Sequence, residues 1–89
     1  AANVTIKAVT WRGLRCVVEV ETSIAGLVAD IRTKPALATS SLAASTKAIK
    51  DGKASLAVAN DDNLGVAAVV VLLGLDGTVL QKSPTTVGG

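Results

Sequence analysis

The sequence predicts an all-β protein, a two-sheet sandwich of about seven short strands. Three observations carry that prediction. Short stretches alternate apolar and polar residues with the period of two that half-buried strands require. The apolar residues are almost all Ala, Val, Leu and Ile, with no Phe, Tyr or Met, and β-branched aliphatics suit a pleated, partly buried surface. Turn dipeptides containing Gly, namely Arg12-Gly13, Asp51-Gly52 and Asp76-Gly77, punctuate the pattern. At 89 residues the chain has room for one domain, 1–89, and not for two. A domain of that size buries about 60–65% of its unfolded surface, so contacts with other subunits would add usefully to its stability.

Asn3–Thr10 (NVTIKAVT) sets Val4, Ile6 and Ala8 against Thr5 and Lys7. Leu14–Glu21 (LRCVVEVE) sets Leu14, Cys16, Val18 and Val20 against Arg15, Glu19 and Glu21. Both read as half-buried strands joined at Arg12-Gly13. Leu27–Thr33 is a further short strand. Lys47–Lys50 and Lys53–Ala59 flank Asp51-Gly52 and read as a hairpin, because Gly takes the positive φ that such turns demand. Val66, Val69, Val70 and Val71 belong to an apolar run bounded by Asn60–Asn63 and by Asp76-Gly77, which describes a central strand buried on both faces. Asp76-Gly77 then turns the chain into Val79–Thr86, where Pro84, lacking an N–H, favours a sheet edge. Thr85–Gly89 reads as a frayed tail.

Pro35–Lys50 (PALATSSLAASTKAIK) admits a second reading. Pro35 at the first helical position, Lys47 and Lys50 in a last turn and Gly52 near the cap describe a helix, and the fold would then be α+β with one helix around residues 35–50. Five of its sixteen residues are Ser or Thr, which compete for their own backbone and disfavour helix interiors. Strand and loop is the preferred assignment. The apolar run Gly65–Leu75 holds eleven residues, against about 20 for a membrane helix, so it is not an anchor. There are no internal repeats and no low-complexity tract.

The chemical inventory is thin. There is no His, which removes the commonest general base and metal ligand. Glu19 and Glu21 share the exposed face of a strand, where carboxylates serve solubility. Asp61-Asp62, flanked by Asn60 and Asn63, could offer oxygen ligands to a hard cation, but no liganding Glu or ordered spacing follows, and a polar loop is the simpler reading. Gly74 and Gly77 precede no helix, so they form no phosphate cradle. Cys16 is the only cysteine, excluding an internal disulfide, and it reads as a small buried apolar side chain. No enzyme activity, cofactor, metal or small-molecule substrate is expected.

Nine Lys and Arg against seven Asp and Glu give a net charge of +2. Lys47, Lys50 and Lys53, with Arg12 and Arg15, are the only candidates for phosphate contacts. The charge is scattered and aromatic stacking partners are missing, so nucleic acid is not an expected partner. Trp11, the single aromatic, fits either the plug of a core or an exposed anchor. Nothing at the N-terminus resembles a signal peptide. The chain begins with Ala and contains no Met, from which we expect a complete small protein that lost its initiator Met and works in a cytoplasm or in something assembled there.

A strand pair, a Ser/Thr-rich crossing segment, the hairpin IKDGKASLAVAN and a Val-rich strand running through LLGLDGTVLQKSPTTV together resemble the closing strands of immunoglobulin-like domains in bacterial and phage proteins. The resemblance covers Lys47–Val87 well and the first half only through alternation. The paired cysteines and core tyrosine of antibody domains are absent. Small free-standing domains of this kind are similar to the decoration, or cement, proteins of tailed-phage capsids.

That resemblance implies a non-enzymatic virion structural protein, made in the host cytoplasm and placed on the capsid surface. It would bind the major capsid protein or another large protein assembly, and could form a homo-oligomer there, with no membrane association. Contact is expected through terminal arms at 1–4 and 84–89 or a sheet edge, with Ala1, Ala2, Asn3, Val4, Trp11, Arg12, Pro84, Thr85, Thr86 and Val87 as the partner-binding candidates. The competing expectation is an adhesive or carbohydrate-binding immunoglobulin-like module of a surface protein, for which Trp11 would be the only platform.

Overall fold

In a computed structural model that describes residues 4–33 and 41–89, seven strands follow one another in chain order. They are β1 (Val4–Arg12), β2 (Arg15–Thr22), β3 (Val28–Thr33), β4 (Lys47–Ala48), β5 (Lys53–Ala57), β6 (Ala67–Leu73) and β7 (Val79–Thr86), with one short 3₁₀ turn at Asp61–Asn63. Two antiparallel sheets result, one ordered β1-β2-β5 and the other β4-β3-β6-β7. The predicted two-sheet sandwich of about seven strands is the fold: the second and fifth strands pair in one sheet, the third and sixth in the other.

Alternation explains the core. Cys16, Val18 and Val20 of β2 and Ala54 and Leu56 of β5 face Ala29 and Ile31 of β3 and Ala68, Val70 and Leu72 of β6 in one buried cluster, with Val4, Leu27, Val58 and Val87 completing it. Branched aliphatics interdigitate between sheets without large voids. Burying one such Val, Leu or Ile contributes about 1.5–3 kcal/mol. Val71 and Leu73 point away from that cluster and are also buried, so β6 is covered on both faces as its unbroken apolar run predicts.

The turns differ from expectation in instructive ways. Strand β1 continues through Trp11 and Arg12, and Arg12 pairs with Arg15, so the loop is Gly13-Leu14, with Gly13 at φ +59°. A bulge at Lys7, between Ile6 and Ala8, resets the alternation. Lys50 and Lys53 exchange both backbone hydrogen bonds, at 2.9 and 3.0 Å, around Asp51 (φ +53°) and Gly52 (φ +74°), a type I′ turn. The strands it joins nevertheless part: β4 pairs with β3, and β5 with β2. Asp51-Gly52 is therefore a corner between sheets and not the tip of a ladder.

Asp76-Gly77 lies in a longer loop, Gly74–Thr78, closed by Gly74 N–H to Thr78 O at 3.0 Å. The Asp76 carboxylate accepts the Thr78 N–H at 3.0 Å. Hydrogen bonds from the Thr78 backbone and side chain hold the Asp76 carboxyl below its usual range. Leu75, at the tip of that loop, is 88% exposed, so the last residue of the apolar run is outside the strand.

The crossing segment returns at Ser41, which bridges to Arg32. Leu42 N–H then bonds to Ile31 O, and Ala44 N–H to Ala57 O, carrying the chain from one sheet to the other. Residues 35–40 of the alternative helix lie outside the described residues; 41–50 is extended and contains no helical turn. No described helix is long and apolar enough to cross a membrane.

Candidate docking surface

The first and last strands lie side by side across the sandwich. Trp11 Nε1–H donates to Thr85 Oγ1 at 2.8 Å, and Gln81 Nε2 donates to the backbone oxygen of Val4 at 3.3 Å. Trp11 is half-buried and packs against the core cluster, so the plug reading describes it and its polar edge is already satisfied. The terminal segment is also fastened. Val87 is 2% exposed; its N–H bonds to Val66 O and its carbonyl accepts the Gly65 N–H, at 3.0 and 2.9 Å. The segment expected as a frayed tail at Thr85–Gly89, and as an arm at 84–89, is held against the domain by these bonds. Thr85 and Thr86 belong to β7, Val87 belongs to the core, and Gly89 N–H bonds to Thr86 O at 2.9 Å.

The candidate contact residues separate accordingly. Val4 and Val87 are buried in the core cluster. Trp11 and Thr85 are spent on each other. Arg12, Pro84 and Thr86 are exposed along or beside that flank. Ala1, Ala2 and Asn3 lie outside the described residues.

The outer face of the β1-β2-β5 sheet is polar. Arg12 stands opposite Arg15, and Arg15 Nη1 donates to Ser55 Oγ at 3.0 Å. Further along, Glu19 and Lys53 approach to 4.0 Å, both largely solvated, which contributes little. An open groove of about 440 Å³ is lined by Thr5, Glu21, Thr22 and Ser23. Lys47, Lys50 and Lys53 are exposed around the Asp51-Gly52 corner.

On the opposite sheet, between core residues Ala29 and Ile31, Asp30 is the one buried charged residue among those described, 3% exposed. Its Oδ1 accepts from Ser41 Oγ at 2.6 Å and from Ile31 N–H at 2.8 Å, and its Oδ2 from Arg32 Nε at 3.1 Å. This latch pins the returning end of the crossing segment. The alternation in Leu27–Thr33 marks Asp30 as outward-facing, but nothing in the sequence marks Ser41 as its partner.

Exposed apolar side chains sit at both ends. Leu64 and Val66 precede β6, whereas Leu75 and Val79 follow it. Leu64 packs near Gly88, where a Cβ would lie 2.9 Å from Leu64 Cδ2. Cys16 is buried, and burial pushes its thiol up to about 11. Asn60 caps the Asp61–Asn63 turn by accepting the Asp62 N–H at 3.0 Å, which is the polar-loop reading of that stretch. Among the described residues no three His, Cys, Asp or Glu side chains converge as metal ligands would.

Compared with protein-family models, with curated proteins and with solved structures, the chain matches none. The fold itself places it in a structural class, the two-sheet antiparallel β-sandwich.

Proposed function

We propose that this domain is a non-enzymatic structural module that docks on a large protein assembly, of the kind that decorates a phage capsid by binding its major capsid protein. One observation supports the reading above the others: the first and last strands are fastened to each other by side chains, Trp11 to Thr85 and Gln81 to Val4. A sandwich closed in this way resists being unzipped from either end, which suits a module that holds neighbouring subunits together. The buried aliphatic core leaves the outer faces and the sandwich ends of the described residues as the surfaces for contact.

The test is co-sedimentation of the full chain with large particles from its source. Fixed stoichiometry that survives moderate salt is the expected result. A protein that stays in the soluble fraction at every ratio tried would sink the reading. The glycan-binding alternative has less support, because the indole N–H that would meet a sugar hydroxyl is engaged by Thr85.

A further inference from the structure

Asp-Gly occurs at Asp51-Gly52 and at Asp76-Gly77, and the fold treats the two steps oppositely although both aspartates are exposed. At Asp76-Gly77 each group that could react is engaged. The Asp76 carboxylate accepts the Thr78 N–H at 3.0 Å, and the Gly77 N–H donates to Gly74 O at 3.0 Å. The bonds from Thr78 also hold the Asp76 carboxyl below its usual range, which keeps it in the anionic form. At Asp51-Gly52 the same groups are open. The turn is closed by the backbone of Lys50 and Lys53, and Gly52 contributes its carbonyl, to Val20 N–H at 2.7 Å; among the described residues nothing accepts the Gly52 N–H. The ion pairs among those residues are Arg32 with Asp30 and Lys53 with Glu19, so the Asp51 carboxylate has no cation within 4.0 Å.

We propose that Asp51-Gly52 is a site of spontaneous aspartate isomerisation in the folded protein, and that Asp76-Gly77 is spared. The Gly52 nitrogen attacks Cγ of the protonated Asp51 carboxyl; a C–N bond forms, the amide proton and the carboxyl hydroxyl leave as water, and a succinimide closes. Water then opens the ring at either carbonyl. Opening at Cγ restores aspartate, whereas opening at the main-chain carbonyl carbon gives isoaspartate, with Cβ now in the backbone and the mass unchanged. Water, released and then taken back, is the only co-reactant. Chain adjacency brings the reacting atoms together, and Gly52, having no Cβ, leaves the approach to its nitrogen uncrowded. A type I′ turn has no room for a longer main chain, so isomerisation breaks the Lys50–Lys53 pair and the bond from Val20 N–H to Gly52 O.

The experiment ages the full chain at neutral pH in heavy-oxygen water, digests it in ordinary water and fragments the peptides that carry each aspartate. Every passage through the succinimide leaves one heavy oxygen at that residue, whichever way the ring opens. In the folded chain the label at Asp51 should exceed that at Asp76 about tenfold, because Asp76-Gly77 must first break its hydrogen bonds. Ageing in urea should close the gap, since both steps are then equally free. Amide exchange at Val20 should accelerate in the aged protein. Asp51→Gly keeps the type I′ turn, for which glycine is suited, and removes the electrophile, so its Val20 exchange should not change with age. Label at Asp51 no higher than at Asp61 or Asp62, which precede no glycine, overturns the site. Equal label at Asp51 and Asp76 in the folded chain overturns the protection by hydrogen bonds, and equal acceleration at Val20 in aged Asp51→Gly overturns the effect on the corner.

Discussion

Trp11 and Thr85, 74 residues apart in the chain, are joined by a 2.8 Å hydrogen bond that ties the first strand to the last. Indole is large enough to plug the open side of an otherwise aliphatic sandwich, and its single N–H then needs an acceptor within the fold. Thr85→Val keeps the shape and removes that acceptor. We expect a loss of about 1 kcal/mol in urea unfolding, with the cost coming from the stranded N–H. Trp11→Phe/Thr85→Val removes both partners and should cost less than the sum of the two single changes. Additive losses would show that the hydrogen bond holds nothing.

The Asp30 latch makes a second prediction. Ser41→Ala removes the 2.6 Å donor but leaves Arg32 beside the carboxylate, and should cost about 1–2 kcal/mol. Asp30→Ala takes the acceptor from the buried Ile31 N–H and from Arg32 Nε, and leaves Ser41 Oγ only its longer contacts to the Ile31 and Ala43 carbonyls; it should cost about 2–3 kcal/mol. Amide exchange at Leu42, whose N–H bonds to Ile31 O, should accelerate in both variants if the latch holds the crossing segment. Unchanged exchange there would mean the segment is held by its backbone bonds alone.

Strand positions were readable because period-two alternation and β-branched composition act locally. The reach of Val28–Thr33 and Val79–Thr86 follows from that. What the alternation cannot carry is which strands meet. Asp51-Gly52 has the residue types of a hairpin and makes the turn, but whether β4 stays beside β5 depends on competing pairings with β3 and β2, which are tertiary. The terminal segment is similar: Thr85, Thr86, Gly88 and Gly89 look like a solvated tail, yet Val87 finds space in the core and its backbone finds Gly65 and Val66. Among the surface residues, Arg12 stood out by its neighbourhood to Trp11. Arg15 falls opposite Arg12 only because the turn is set at Gly13-Leu14.

Cys16 is at 0% exposure between the sheets, and burial pushes its thiol up to about 11. The thiolate is the reactive form, so both access and ionisation protect it. At pH 8 a thiol reagent should label the folded chain only through global opening. The labelling rate should rise with urea in step with unfolding. Rapid labelling in water would place the thiol at the surface and contradict the strand alternation that buries it.

Gly52 is held by two independent constraints. Its φ is +74°, a conformation that costs a residue with a Cβ about 1–2 kcal/mol, and that Cβ would stand 3.0 Å from the Val20 carbonyl oxygen. The approach is close because Gly52 O accepts the Val20 N–H at 2.7 Å, stitching the corner to β2. Gly52→Ala should therefore cost more than the φ penalty alone, about 2–3 kcal/mol. Gly13→Ala is the control: φ is +59° but nothing lies within 4 Å, so only the conformational penalty of about 1–2 kcal/mol applies. Asp51→Asn should be neutral or slightly stabilising, because Asn favours the left-handed first position of a type I′ turn. Equal losses for the two glycine variants, measured by denaturant unfolding, would mean that the contact with Val20 relaxes freely and that the corner is held by its dihedral angles alone.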